Sequence, residues 1–214
     1  MSSIVTKLPD SLKKTFISAS SRQKTHDHWL SGIDDLDRFL NGGLPIGTLV
    51  EFGIPKEKPG RTVLLPYLAR ASKQTTILWV NSLEKYRIYP PAFFSRGILP
   101  SGMVFSEAVK PLETLKHVFL SPLFKIIVLD SSRVSLEECL FLKQQAFIHN
   151  QSIVLIRPYC LSNLKGNIWS KLRCNILKTT HGRYCLRLVK GQTSKNYYIS
   201  EEELHHDIAE FRVH

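Results

Sequence analysis

The sequence predicts an α/β domain with three layers, α-β-α, in which a mainly parallel central sheet ends in an antiparallel hairpin. Three observations support this fold class. Short aliphatic runs recur along the chain, segments with a helical pattern separate them, and two alternating segments lie close together near the carboxyl terminus. Strands separated by helices of about 10 to 15 residues form right-handed crossovers, which place helices against a parallel sheet.

The predicted core begins with a strand, a helix and a second strand. Residues 48–52 form a short aliphatic strand, and residues 63–73 follow with a helical pattern. Pro66 falls in the first turn of this helix, where its missing N–H breaks no hydrogen bond. Residues 76–80 are the second strand.

Shorter elements are predicted in the middle of the chain. Pro90 and Pro91 interrupt the chain before a short helix that ends near Gly97. Residues 103–105 form a brief strand, and residues 112–120 form a helix.

The clearest strand covers residues 125–130, where four aliphatic residues are followed by the carboxylate of Asp130. Such a continuous apolar run is typical of a parallel strand that is buried on both faces. Ser135 is expected to cap a helix that extends to about Asn150. Residues 152–156 form the next strand.

The last predicted elements are two alternating strands, 171–178 and 183–190, whose connection through residues 180–182 is a hairpin signal. The expected organisation is a basic amino-terminal arm over residues 1–28, one core domain over 29–195, and a tail or short helix over 196–214.

The charge of the chain restricts its partners. Lys and Arg number 29 against 18 Asp and Glu, which gives a net charge of +11. That excess favours a polyanionic partner, namely nucleic acid, an acidic protein surface or an anionic membrane, although a generally basic surface with no specific partner is the alternative. No apolar run approaches the roughly 20 residues that span a bilayer, so we expect no membrane contact and a cytoplasmic protein.

The metal-binding residue types show no metal-site spacing. The four cysteines form no C-x-x-C pair and the histidines no H-E-x-x-H pair, so no metal site is expected. The cysteines lie in apolar stretches and are predicted to be core residues in a reducing compartment.

A degenerate phosphate-binding loop follows the first predicted strand. A working loop has the pattern G-x-x-x-x-G-K-[ST], in which backbone N–H groups and the Lys bind phosphates and the hydroxyl binds Mg²⁺. Gly60 and Thr62 fit this pattern, but Arg61 replaces the Lys, and Gly53 fits only if two residues are inserted. We therefore expect no bound cofactor and no catalytic residue, since tight binding of ATP with Mg²⁺ is disfavoured. Asp130 is the candidate carboxylate for the metal, or simply the polar end of a strand.

Prolines within the loop weaken it further, because Pro55 and Pro59 carry no N–H. The planar fork of an Arg also fits poorly where a compact ammonium group is needed. A loop that still holds phosphate or a DNA backbone through Lys56, Lys58 and Arg61 remains an alternative.

Residues 30–53 resemble the segment that leads into the first strand of RecA-like proteins. The matching positions are Ser31-Gly32, Leu36-Asp37, Gly42-Gly43-Leu44-Pro45 and Gly47. Further along, four segments resemble the ImuA- and SulA-related branch of that superfamily. They are residues 64–70, 89–98, 170–173 and 186–191.

This resemblance implies a role in the bacterial DNA-damage response. ImuA-like proteins are accessories in error-prone translesion synthesis, and the implied partners are an ImuB-type polymerase-like protein and an error-prone polymerase, with RecA and DNA left open. SulA-like proteins instead inhibit cell division. The long glycine-rich stretch at 30–53 favours the ImuA-like reading of a non-catalytic accessory protein. A SulA-like inhibitor and a RecA-like DNA-dependent ATPase are the alternatives; for the latter, Glu84 stands near the position of the water-activating Glu.

The resemblance also implies a contact surface for DNA or a partner, because RecA-like domains carry a DNA-binding loop after the fifth core strand. Its counterpart is residues 158–168. Aromatic side chains there would stack on bases, although Trp169 could equally be a core residue and Lys165 a solvated one. The expected contact residues are Arg157, Tyr159, Lys165, Trp169, Lys171, Arg173 and Lys190.

Overall fold

The structure is a computed structural model that describes residues 28–82, 87–162, 169–189 and 196–205. A two-stranded antiparallel ribbon precedes the main sheet and pairs β1 (His28–Trp29) with β2 (Leu44–Pro45). The predicted basic arm lies outside the described residues except for His28, which belongs to β1.

The central sheet has eight strands in the described part of the chain. They are β3 (Thr48–Gly53), β4 (Ile77–Asn81), β5 (Met103–Glu107), β6 (Ile126–Asp130), β7 (Ser152–Arg157), β8 (Leu172–Lys178), β9 (Tyr184–Leu188) and β10 (Asn196–Ile199). Their spatial order is β5-β4-β6-β7-β3-β8-β9-β10. All pairs from β5 to β8 are parallel, and β8-β9 and β9-β10 are antiparallel. The mainly parallel sheet and the antiparallel hairpin are therefore confirmed.

Helices lie on both faces of this sheet. They are α1 (Asp34–Phe39), α2 (Leu65–Ala71), α3 (Pro90–Phe94), α4 (Pro111–Thr114), α5 (Lys116–Phe119) and α6 (Leu136–His149). Short 3₁₀ helices cover Arg61–Leu64 and Pro100–Gly102. Residues of α1 and α2 pack in one apolar cluster, and residues of α5 and α6 pack in another. Among the described residues, no helix has both the length and the apolar character needed to cross a membrane.

Alternation along the central strands builds the two apolar clusters. In β6, Ile126 and Val128 belong to the cluster on the face of α2, whereas Ile127 and Leu129 belong to the cluster on the face of α6. Successive side chains of a strand point to opposite faces, so a strand covered on both sides needs an unbroken apolar run. That requirement explains the aliphatic run that made this strand easy to predict.

Two helices differ from their predictions. The expected helix at 112–120 is divided into α4 and α5 at Leu115, whose backbone angles, φ −113° and ψ 24°, are not helical. The expected helix at 63–73 begins earlier, as the 3₁₀ turn Arg61–Leu64, and its α-helical part ends at Ala71.

The carboxyl-terminal segment differs as well. Residues 196–199 were expected in a tail or short helix, but they form β10 at the edge of the sheet. The ring of Tyr197 stacks on Phe39 with a centroid distance of 5.3 Å, and Ile199 is buried in the core. These contacts attach β10 to the domain.

The longest helix, α6, begins with a capping box. The Ser135 side chain accepts a hydrogen bond from the Glu138 amide at 3.2 Å, and the Glu138 carboxylate accepts one from the Ser135 amide at 2.6 Å. Two amides that the helix leaves without intrahelical partners are thereby satisfied. The predicted cap is confirmed, and Asn150 ends the helix in the left-handed region with φ 53°.

Replacing the cap should destabilise the domain. Ser135→Ala is expected to lower the free energy of unfolding by about 1 kcal/mol, because the amide at Glu138 loses its acceptor. Gln144→Ala, at an exposed position in the middle of the same helix, is the control and should change it by less than about 0.5 kcal/mol. Urea denaturation measures both. Equal stability of the two variants would contradict the role given to the cap.

Candidate phosphate site and the carboxyl edge of the sheet

The residues of the degenerate loop meet Asp130 at the carboxyl edge of the sheet. Residues 54–60 leave the end of β3, and Asp130 ends β6; β7 lies between these two strands. The carboxyl edge is where ligands bind in open α/β sheets. The structure therefore brings these predicted site residues to one edge of the sheet, and their contacts there show what they bind.

Arg61 and Asp130 bind each other. The Arg61 Nε lies 2.6 Å from Asp130 Oδ2, and its Nη2 lies 2.8 Å from Oδ1. Nη2 also donates to the Ser131 hydroxyl at 3.2 Å, and that hydroxyl donates to Asp130 at 2.9 Å. The carboxylate is 7% exposed and the arginine side chain 27%. Two parallel charge-assisted bonds are the strongest geometry for such a pair, so the groups expected to hold phosphate and metal neutralise each other.

Three amides of the loop donate to carbonyl groups of the chain. Pro55 and Pro59 have no N–H to offer. The amide N–H of Ile54 donates to Arg157 O at 2.9 Å, that of Lys56 to Pro158 O at 3.2 Å, and that of Lys58 to Pro55 O at 3.0 Å. A phosphate-binding loop points its amides at the ligand. This loop instead binds the segment that follows β7.

Packing requires the first glycine of the loop. A Cβ on Gly53 would lie 2.2 Å from Asn175 Oδ1, and Asn175 is fixed because it bonds both the N–H and the C=O of Leu161. Close approach of a neighbouring segment therefore explains Gly53 without a phosphate. At Gly60 the contact is looser, since a Cβ would lie 3.0 Å from a methyl group of Ile54.

Thr62, expected to supply a hydroxyl for Mg²⁺, contacts the carboxyl-terminal hairpin. Its Oγ1 accepts a hydrogen bond from the Tyr184 hydroxyl at 3.4 Å. In the described part of the chain, no three His, Cys, Asp or Glu side chains group as a metal site would require. Glu84, the candidate base, lies outside the described residues.

A buried triad of charges lies beside this site. Glu51 accepts a hydrogen bond from Arg157 Nε at 2.9 Å on one oxygen and from Arg173 Nε at 3.0 Å on the other. The three side chains are at most 7% exposed. Sequence reasoning missed Glu51, although a carboxylate inside the aliphatic run 48–53 was the signal for it.

This triad corrects two predictions. Arg157 and Arg173 were expected on a surface that contacts DNA or a partner, but the structure places both in the interior. Arg157 also donates to the carbonyls of Ser132 and Val134, at 3.5 and 3.2 Å. A buried arginine whose donors are engaged in this way supports the fold and offers nothing to a ligand.

Burial and the triad set the protonation of the neighbouring groups. Burial disfavours the charge of Arg157, but the attraction of Glu51 outweighs it, so the pKa of Arg157 is raised. Burial also raises the pKa of the Cys139 thiol, against an opposing effect of Arg157. Cys139 therefore remains a protonated core thiol and not a nucleophile. Cys174 and Cys185 are buried as expected, whereas Cys160 is exposed, contrary to the prediction that all four are core residues.

The other expected contact residues have different environments. Tyr159 is exposed and borders a surface hollow with Arg133, and Lys171 is exposed. Trp169 packs against the apolar cluster of α6, and the Lys143 ammonium lies 5.1 Å from its ring centroid, so the core alternative describes it better. Lys165 and Lys190 lie outside the described residues.

A cleft of about 490 Å³ opens beside the ion pair of Arg61 and Asp130. Its floor is aromatic, because Trp79 and Phe93 pack edge to face with ring centroids 5.0 Å apart. Lys58 and Arg87 also line it. The cleft is mainly apolar, which is a poor environment for a triphosphate.

Comparison with known proteins gives no assignment. Neither a protein-family model nor a curated protein matches the chain. What this edge of the sheet does must therefore be inferred from its contacts.

Removing the carboxylate of the triad should strongly destabilise the fold. Glu51→Gln leaves two buried arginines without a counter-charge, and the expected loss is about 3 to 5 kcal/mol in the free energy of unfolding. Glu113→Gln is the matched control, since it breaks an exposed pair with Lys110 and should cost no more than about 1 kcal/mol. Urea denaturation compares the two.

A triple variant separates charge from packing if Glu51→Gln fails to fold. Glu51→Leu combined with Arg157→Met and Arg173→Leu removes all three charges together and is expected to recover only part of the lost stability, because the carbonyls of Ser132 and Val134 lose their donor. Failure of the triple variant to recover stability would show that the hydrogen bonds of the triad matter more than the balance of charge.

Proposed function

We propose that this chain is a RecA-like domain that does not hydrolyse ATP and acts as an accessory or scaffold protein in the DNA-damage response, in error-prone translesion synthesis. One observation carries the non-catalytic part of the proposal. Arg61, which stands where a working loop has its Lys, forms two hydrogen bonds, of 2.6 and 2.8 Å, with Asp130, the candidate carboxylate for the metal.

The RecA-like assignment is supported by the placement of the motif within the fold. The glycine-rich stretch 30–53 leads through α1 and β2 into β3, and the degenerate loop then leads into the 3₁₀ turn and α2. β6, the strand that ends in Asp130, is separated from β3 by β7, and the antiparallel hairpin follows the parallel strands. A phosphate-binding loop between a strand and a helix has this connectivity.

The two charged groups that hydrolysis of ATP would need at this site, those of Arg61 and Asp130, are bound to each other. Phosphoryl transfer depends on a metal ion and on cations that stabilise the charge of the transition state. Binding of Mg²⁺ at Asp130 would have to displace Arg61, and each hydrogen bond to a charged group contributes about 1.5 to 3 kcal/mol. A phosphate that binds the amides of Ile54, Lys56 or Lys58 would also have to displace their carbonyl partners. Both requirements oppose nucleotide binding.

Thermal denaturation with and without Mg²⁺-ATP tests this part of the proposal. A ligand at 100 times its Kd adds about 2.7 kcal/mol, which for a chain of this length raises Tm by about 5 to 10 °C. The expected result is no rise at millimolar Mg²⁺-ATP beyond that given by MgSO₄ at equal ionic strength. Arg61→Lys should also show no rise, because Pro55 and Pro59 carry no N–H and the amides of Ile54, Lys56 and Lys58 keep their carbonyl partners.

One result would contradict the expected absence of nucleotide binding. A rise in the wild-type Tm that Thr62→Ala with Asp130→Ala abolishes would show that the altered loop binds nucleotide. The alternative of a RecA-like DNA-dependent ATPase would then replace the scaffold proposal.

We also place a contact with single-stranded DNA at the hollow beside β7. Tyr159 is 54% exposed, Arg133 is exposed and lines the same hollow, and the chain carries +11. An exposed aromatic ring beside a cation is the pairing that stacks on a base and neutralises its phosphate. The proposed DNA contact thus keeps Tyr159 and Lys171 and no longer includes the buried Arg157 and Arg173.

Substitution of the exposed tyrosine tests the DNA contact. Tyr159→Ala should weaken binding of a fluorescent oligonucleotide by about 1 to 3 kcal/mol, or roughly 5- to 150-fold. Tyr198→Ala, which removes a half-exposed tyrosine from β10, is the control and should leave the affinity unchanged. Fluorescence anisotropy at several salt concentrations gives both Kd values, and equal losses in the two variants would remove Tyr159 from the interface.

The proposed protein partners are an ImuB-type polymerase-like protein and an error-prone polymerase, with RecA as a third candidate, in the cytoplasm. The glycine-rich stretch 30–53 favours this role over that of a SulA-like inhibitor of cell division. Co-purification with tagged candidate partners tests it. Filamentation of cells that express the chain, without any polymerase-complex partner, would support the inhibitor instead.

A further inference from the structure

Exposed apolar side chains are concentrated at the amino edge of the sheet, on the face of α6. Phe147 is 78% exposed, Ile148 64%, Leu123 63% and Leu120 45%. Single exposed apolar residues are ordinary on protein surfaces, whereas a group of large ones marks an interaction site. We call these four residues the α6 patch.

The two segments that supply the α6 patch are joined by hydrogen bonds. Gln151 Nε2 donates to the Ser121 carbonyl at 2.7 Å, and Lys125 Nζ donates to the His149 carbonyl at 3.1 Å. The end of α6 and the loop 120–125 therefore lie side by side.

The helix has a separate set of residues for the core. Cys139, Leu142 and Ala146 are fully buried against the sheet, at the spacing of one helix face. Phe147 and Ile148 follow directly and turn away from that face. The core of the domain is thus complete without them, and folding does not explain why these positions are apolar.

The charged residues of the two segments that supply the α6 patch have one sign. Residues 115–125 and 139–152 include Lys116, Lys125 and Lys143 and not one Asp or Glu. A negatively charged partner would be attracted to this surface, and a positively charged one repelled.

The same sign disfavours two other occupants. A second copy would place its own lysines against these if it paired through the same patch, since a two-fold interface brings identical surfaces together. The amino-terminal segment is also unsuitable, because residues 1–24 include Lys7, Lys13, Lys14, Arg22 and Lys24 against a single Asp.

From these observations we propose that the α6 patch is the docking surface for an acidic amphipathic helix of a partner protein. The patch lies between the end of one helix and a neighbouring loop, and an amphipathic helix places residues at i, i+3, i+4 and i+7 into such a surface. The glutamates and aspartates of the partner would face the surrounding lysines. The α6 patch lies at the opposite end of β6 from Asp130, so this proposal does not rest on the state of the phosphate site.

Synthetic peptides test the chemistry of this surface. The probe is a fluorescein-labelled peptide of about five helical turns, with Leu and Phe at the i, i+3, i+4 and i+7 positions and Glu elsewhere; the matched peptide carries Lys in place of Glu. Fluorescence anisotropy with the full chain should show binding of the acidic peptide that weakens with salt, and no binding of the basic one. Phe147→Ser with Ile148→Ser should weaken the acidic peptide at least about tenfold.

Two further variants test whether binding depends on the location of the apolar contact and on the charge around it. Leu136→Ser removes an equally exposed leucine from the other end of α6 and should leave the affinity unchanged. Lys116→Glu should weaken the acidic peptide and strengthen the basic one while the apolar contacts remain. Melting temperatures confirm that each variant is folded.

Any of three results would overturn the proposal: binding of the acidic peptide that survives the Phe147 and Ile148 substitutions, equal binding of both peptides, or binding of neither. Analytical sedimentation tests whether a second copy of the chain occupies the α6 patch. A wild-type dimer that those two substitutions dissociate would assign the α6 patch to a second copy. None of these results changes the nucleotide-dependent melting experiment, so the two proposals fail separately.

Discussion

The segment 130–135 is held from both faces of the sheet, and this double attachment fixes the carboxyl edge of the domain. On the face of α2, Arg61 binds the side chain of Asp130. On the face of α6, Arg157 donates to two carbonyls of the same segment while Glu51 holds its guanidinium in place. A buried charge without its partner costs several kcal/mol. Neither attachment can therefore be opened without destabilising the edge that both support.

Such an edge conflicts with the needs of a nucleotide site. Catalytic electrostatics depends on donors and charges that are oriented before the ligand arrives and are not bound to one another. Here Arg61 and Asp130 bind each other, and Gly53 is required by the neighbouring Asn175. The close approach that a glycine permits at this position is used by another segment of the chain.

Elements with strong local signals could be predicted from the sequence, and those that depend on distant contacts could not. The aliphatic run of β6 and the capping box at Ser135 are decided by residues next to each other, so they were found. The strand β10 was missed because four residues with two tyrosines become a strand only when β9 supplies the pairing. In the candidate site, the sequence brought Arg61 and Asp130 together through motif positions. It could not show the burial of Arg157, which depends on Glu51 reaching two neighbouring strands.

The distribution of charge then indicates where this protein meets its partners. Arg61, Arg157 and Arg173 with Glu51 and Asp130 carry a net charge of +1, so these ion pairs account for little of the +11 of the chain. Exposed charges act over about one Debye length, roughly 8 to 10 Å, and they mainly steer association. Lysines around an apolar patch therefore combine long-range attraction with short-range burial. At the carboxyl edge the ion pairs engage their own charges, whereas the α6 patch is exposed and apolar, and the charged residues of the segments 115–125 and 139–152 that supply it are all basic.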